Sequence, residues 1–236
     1  MKLSLVIPAY NEAARIGATL TRLAEYFAAQ PYEAEIVVVD DGSSDGTSDV
    51  VRSQFPTVRL IAYAPNRGKG NAVRTGMLEA QGNVRVFYDA DGSTPISELE
   101  RLLPHFDTGA DVVIGSRLMP ASMVEVPQGT VREVMGRLFN RMLRAFGLTD
   151  LSDTQCGFKA FTARASEICF TRQTLERFSF DVEVLVIAKT QGLRIVEVPI
   201  RWINNPDSRV NMVRDAVPTM RDILTIRNNK KSGKYD

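Results

Sequence analysis

Short unbroken apolar runs alternate with stretches of helical periodicity through the first half of the chain. Leu3 to Pro8 is a β-branched run closed by proline, and it predicts a strand. Glu12 to Ala29 repeats apolar residues at Ile16, Leu20, Leu23 and Phe27, which is one face of a helix. Glu35 to Val39 predicts a second strand, followed by Asp40-Asp41-Gly42-Ser43-Ser44-Asp45-Gly46-Thr47, dense in turn and cap residues. A short helix to about Ser53, a strand from Thr57 to Tyr63 and a helix from Lys69 to Gln81 come next. Val84 to Tyr88 and Asp111 to Gly115 read as strands, with a helix from Ile96 to Phe106 between them.

Parallel strands need crossover helices and, buried on both faces, read as continuous apolar runs. The pattern therefore predicts an α/β fold, a mainly parallel Rossmann-like sheet flanked by helices in a single domain. Ligands on such sheets sit beyond the carboxyl ends of the strands. Tyr10-Asn11-Glu12, Asp40-Asp41-Gly42-Ser43 and Asp89-Ala90-Asp91-Gly92 follow the first, second and fourth strands and fall on that edge.

The second half is less regular. Pro120 to Gly129 reads as a loop, Val131 to Phe146 as a helix, and Asp150 to Phe161 as a polar loop leading into a strand. Phe180 to Gln191 is helical, Arg194 to Trp202 a strand, Asn204 to Asn211 a polar loop and Asp215 to Arg227 a last helix. The predicted domain is 1–227, with a basic tail at 228–236. No linker divides it.

Composition narrows the chemistry. The net charge of +1 gives no polyelectrolyte signal for nucleic acid. A single histidine, His105, excludes a three-histidine zinc site, and two cysteines, Cys156 and Cys169, are too few for a four-cysteine one. A metal here would be a hard, carboxylate-bound ion. No run approaches the roughly 20 apolar residues of a membrane span. The expected location is cytoplasmic, at the cytoplasmic face of a membrane if the protein binds one.

Four motifs carry candidate chemistry. In Asp89-Ala90-Asp91, two carboxylates two residues apart on extended backbone share a side and repel unless a cation intervenes. The same acids could equally cap the next helix. In Asp40-Asp41-Gly42-Ser43, a carboxylate at the strand end could accept from a base N–H or a ribose hydroxyl, or serve turn and capping chemistry. Asn66-Arg67-Gly68-Lys69-Gly70-Asn71 offers backbone N–H groups and two cations at a helix start, but lacks P-loop spacing. In Val131–Phe146, apolar Val131, Val134, Met135, Leu138, Phe139, Met142, Leu143 and Phe146 form a stripe, with Arg132, Arg137, Arg141 and Arg144 largely off it. Such a helix packs on a core or lies in a bilayer interface.

Taken with Val6-Ile7-Pro8-Ala9-Tyr10-Asn11-Glu12 and Gly115-Ser116-Arg117, these motifs resemble the family 2 glycosyltransferases of GT-A fold. Asp91-Gly92-Ser93-Thr94, Asp153-Thr154-Gln155-Cys156-Gly157-Phe158-Lys159 and Phe180-Asp181-Val182-Glu183 resemble the branch of that family acting on dolichyl and other polyprenyl phosphates, in particular its β-glucosyltransferases. The resemblance implies inverting transfer from a nucleotide sugar donor, UDP-glucose or alternatively GDP-mannose, to a polyprenyl phosphate acceptor. It implies Mg²⁺ or Mn²⁺ at Asp91, and Asp89 on the ribose or sugar. Pro8, Tyr10 and Glu12 would line the base and ribose, and Asp40 would bind the base. Ala9, Lys69, Ala90 and Gln155 join the substrate-binding set. Arg117 and Lys159 would face the phosphates and complete the catalytic set with Asp89 and Asp91, while Arg201 would clamp the same region. The lipid acceptor implies a membrane surface, reached through Val131–Phe146 and the basic tail. A non-catalytic nucleotide-sugar-binding module is the remaining alternative.

Overall fold

The computed structural model describes residues 2–125, 130–203 and 212–236. The predicted loops at Pro120–Gly129 (from 126 on) and Asn204–Asn211 lie outside the described residues. The elements are β1 (Lys2–Ala9), α1 (Ala13–Ala28), β2 (Glu33–Asp41), α2 (Thr47–Gln54), β3 (Arg59–Tyr63), α3 (Lys69–Glu79) and β4 (Val84–Tyr88). After a single 3₁₀ turn come α4 (Leu99–Leu102), α5 (Pro104–Asp107), β5 (Val112–Ser116), β6 (Met123–Val124), α6 (Thr130–Ala145) and β7 (Phe158–Thr162). The chain closes with α7 (Ala163–Arg172), α8 (Phe180–Thr190), β8 (Ile195–Pro199), β9 (Arg201–Trp202) and α9 (Met212–Lys231).

Seven strands form one sheet in the order β3-β2-β1-β4-β7-β5-β8. β7 runs antiparallel to both its neighbours, and the other pairs are parallel. The expected mainly parallel α/β sheet is thus the observed one. Side chains alternate across a strand, so β1 feeds two cores. Leu3, Leu5 and Ile7 pack with Ile16, Leu20 and Leu23 of α1 on one face. Val6 packs with α3, α7 and α8 on the other. Each of these fully buried aliphatic side chains contributes roughly 1.5–3 kcal/mol of transfer free energy.

Several expectations change. The helix expected over Ile96–Phe106 is broken, because Pro104 has no N–H to continue the ladder and restarts a helix at its own N-terminus. The expected strand Arg194–Trp202 divides at Ile200, and β9 leaves the main sheet to pair with β6. Helix α7 has no counterpart in the sequence reading. Thr162 starts it by accepting from Ala165 N at 3.1 Å.

The stretch 228–236 does not hang free. α9 carries on to Lys231, and Tyr235 is wholly buried in the core. The Tyr235 hydroxyl donates to Glu183 Oε1 at 2.7 Å, and Lys230 Nζ donates to the Gly147 carbonyl at 2.8 Å. In α6, Leu143 is buried and Phe139 and Met142 pack on the same core, as does Phe146 just beyond the helix. Met135 and Leu138, predicted on that stripe, are exposed.

Candidate active site

The order β2-β1-β4 places the carboxyl ends of those three strands side by side. The turn after β1, the Asp40 turn and the Asp89–Asp91 turn therefore meet at one edge, as their positions in the sequence predict.

At the end of β2, alternation divides two adjacent acids. Asp40 accepts from Ser43 N at 2.8 Å and from Ser48 Oγ. It lines a cavity of about 270 Å³ with Gly42, Ser43, Ser48 and Tyr63. Asp41 points the other way and is consumed by structure. It accepts from Asn66 Nδ2 at 2.7 Å, and from Arg67 N and Gly68 N at 2.8 Å each. Those bonds place the start of α3, and hence Lys69. The sequence reading did not separate Asp41 from Asp40.

Lys69 Nζ lies 2.7 Å from Asp89 Oδ1 and 5.2 Å from the Phe87 ring centroid. Burial pushes the Asp89 carboxyl above its usual range. Lys69 pulls it down, and repulsion from Asp91 and Asp181 pushes it up. Burial works to lower the Lys69 ammonium, yet Asp89, Asp181 and Asp91 together hold it above its ordinary value. Asp91 turns back through a left-handed Gly92 (φ 64°) and accepts from Ser93 N at 2.9 Å. Its other oxygen makes no hydrogen bond or ion pair among the described residues. Ala90 is buried between the two acids, and its carbonyl accepts from Thr19 Oγ1 at 2.9 Å.

Among the described residues no three His, Cys, Asp or Glu side chains gather into a metal nest. A cation held by one or two carboxylates, with the remaining ligands from substrate phosphate and water, is the usual Mg²⁺ arrangement. The Asp89–Asp91 turn fits a hard ion of that kind.

On the β5 side, Arg117 is clamped by Asp153. Its N, Nε and Nη2 donate at 3.0, 2.7 and 2.9 Å. Its guanidinium also lies 5.4 Å from the Trp202 ring centroid. Asp153 is itself fixed from behind, its N–H donating to Glu197 at 2.8 Å. Burial works to raise the Asp153 carboxyl, but the Arg117 charge and its hydrogen bonds hold it below the usual range. Gln155 is exposed on the same loop.

Two expected phosphate ligands are paired with acids of the chain itself. Lys159 is wholly buried in β7, its ammonium donating to the Cys156 carbonyl at 2.6 Å and to Asp181. Its ammonium lies 5.7 Å from the centroid of Phe87, the ring that Lys69 also faces, so this buried pair stands beside the Lys69–Asp89 pair. Arg201 is exposed on β9 and paired with Glu125 at 2.5 Å, a partner at the rim of the small sheet. Pro8 and Ala9 are buried in the end of β1, and Tyr10 is exposed beyond them. Glu12 is nearly buried, pairs with Arg15, and holds α2 through its N–H to Thr47 Oγ1 at 2.8 Å.

A largely parallel sheet with a paired-acid turn on its carboxyl edge is the architecture of the GT-A glycosyltransferases. Mannosyl-3-phosphoglycerate synthase from Rubrobacter xylanophilus shares it at 20% identity and a TM-score of 0.74, covering 99% of this chain and 75% of that one. Glucosyl-3-phosphoglycerate synthase from Mycobacterium tuberculosis, solved with Mn²⁺, UDP-glucose and glycerol 3-phosphate, shares it at 18% identity and a TM-score of 0.70. That match covers 97% of this chain and 79% of the other. The Glycosyl transferase family 2 model matches residues 4–168, and the chain belongs to that family. A dolichyl-phosphate beta-glucosyltransferase from Saccharomyces cerevisiae is 35% identical over 247 residues, 95% of this chain and 74% of its own length. The chain spans 66% of a relative of the same activity from Trichomonas vaginalis. These relationships make it an enzyme, a hexosyltransferase.

Proposed function

We propose that this enzyme transfers glucose from UDP-glucose to a polyprenyl phosphate with inversion, using Mg²⁺ or Mn²⁺ bound at Asp91. The observation that carries the reading is the convergence of the Asp40 cavity, the Lys69–Asp89 pair and Asp91 on one sheet edge. The cavity beside Asp40 suits a base or ribose, and Tyr10 stands exposed at the neighbouring strand end. Sequence likeness to dolichyl-phosphate beta-glucosyltransferases favours the lipid acceptor and glucose.

A phosphate acceptor is already anionic at neutral pH and needs no general base, in keeping with a chain whose one histidine, His105, accepts at its carbonyl from Ala110 N ahead of the amino end of β5. The difficulty is charge: an anionic nucleophile must approach an anionic donor. The metal would neutralise the leaving diphosphate. Lys69 holds Asp89 and offers a cation beside the same turn. Arg117, held rigid by Asp153, supplies a preorganised guanidinium on the opposite side. One such contact is worth about 3–4 kcal/mol in the transition state.

Access to a lipid acceptor calls for a membrane surface. Exposed Met135 and Leu138 on α6, and Val217, Met220 and Leu224 on α9, support docking through these helices. Among the described residues no helix is long and apolar enough to cross a membrane. Basic residues near such a surface would add ~1 kcal/mol each.

The test is a donor screen scored by nucleotide release, with and without a short polyprenyl phosphate and with EDTA. UDP release that needs both acceptor and metal, and that Asp91→Ala abolishes, is expected. GDP release from GDP-mannose would instead make it a mannosyltransferase. Binding of donor without release would make it a nucleotide-sugar-binding module.

A further inference from the structure

We propose that Gly157 is a positioning residue for Asp89: the missing side chain at this position sets the rotamer in which Asp89 meets Lys69. The functional part of this inference rests on the reaction proposed above, and the geometric part does not. Gly157 ends the polar loop before β7. Phe158, the next residue, pairs with Tyr88 of β4 in the antiparallel register. The pairing continues one step beyond the strands, where Asp89 N donates to the Gly157 carbonyl at 3.2 Å. That bond holds the two residues side by side.

The Asp89 carboxylate then occupies the space that a side chain on Gly157 would need. A methyl group on that Cα would overlap Asp89 Oδ2 and Cγ, and would stand 2.9 Å from Oδ1. Gly157 is not among the glycines with a left-handed backbone. Glycine is therefore required here by the carboxylate and not by the backbone. The loop has no room to retreat, since Cys156 and Phe158 on either side are both wholly buried. The Cys156 carbonyl is also held by the Lys159 ammonium at 2.6 Å.

The consequence is specific. Oδ1, the oxygen that takes the Lys69 ammonium, belongs to the group that the methyl would displace. A carboxylate at the end of two torsions can turn away without unfolding anything. Gly157→Ala would keep the fold and cost the Lys69–Asp89 pair.

The experiment is a double-mutant cycle of Gly157→Ala and Asp89→Ala, with crystal structures of the wild type and Gly157→Ala. Gly157→Ala is expected to lower kcat by about 10²-fold, the scale of a ~1 Å misplacement, with acceptor KM nearly unchanged and the thermal midpoint within a few degrees. In the Asp89→Ala background, which lacks all three atoms the methyl meets, it should cost almost nothing further. An equal loss in both backgrounds would mean a purely structural role and overturn the proposal. So would a Gly157→Ala structure with Asp89 still on Lys69, and that result stands whether or not the wild type transfers sugar. If Gly157→Ala does not fold, the double variant should fold; failure of both to fold overturns the proposal as well. A wild type that releases no nucleotide from any donor sinks the proposed reaction alone.

Discussion

The Lys69 ammonium lies 2.7 Å from Asp89 Oδ1, so the acidic edge of the sheet carries its own cation. The lysine comes from the start of α3, the acid from the end of β4, and Asp41 stands behind the arrangement by fixing the backbone of Arg67 and Gly68. Lys69→Met should therefore lower turnover by roughly a hundred- to a thousandfold. Lys69 also draws the Asp89 carboxyl down against burial. Its removal should shift the acid limb of the pH–rate profile to higher pH, and Lys69→Arg should restore part of both. Steady-state nucleotide release across pH checks this.

The Arg117–Asp153 clamp gives a pH dependence of stability with a definite sign. Asp153 is held below its unfolded value of about 3.9. Its contribution is complete above that value and is lost as pH falls through the lower, folded one. Urea midpoints between pH 5 and pH 3 should fall for the wild type. They should fall less steeply for Asp153→Asn, which starts from a lower midpoint.

Cys156 and Cys169 are both buried, and burial pushes each thiol up to about 12. Thiolate is the reactive form. Neither should react with a thiol reagent at pH 8 in the native protein, and both should react in urea. Time-resolved titration of free thiols checks this.

Tyr235, which follows the end of α9, is wholly buried and donates to a wholly buried Glu183. Glu183 also accepts from Thr174 and Leu175, and so holds the turn beside the start of α3. Tyr235→Ala should cost about 3–5 kcal/mol of stability, as large aromatic truncations do. Chemical denaturation measures it, and removing residues 235–236 should match it.

Much of the fold could be read from residue pattern. The apolar runs Leu3–Pro8, Glu35–Val39 and Val84–Tyr88 are β1, β2 and β4, because a strand buried on both faces has to be apolar at every position. The turns that follow them had to lie at one edge once the strands were parallel. β7 was legible as a strand but not in its place, since its antiparallel slot between β4 and β5 depends on pairings far away in the chain. α7 was missed because its apolar positions, Ala165, Cys169 and Phe170, make a weak stripe.

The amino-acid order alone determined the layered α/β architecture, the paired acids at a strand end and the family. Those follow from local periodicity and from residues adjacent in the chain. Only the tertiary structure decided which cation answers which acid. Lys69 belongs to Asp89, Arg117 to Asp153, Lys159 to Asp181 and Arg201 to Glu125. Charge pairing depends on distance and burial in space, and a sequence records neither; that is why the buried Lys159–Asp181 pair shows only in the fold.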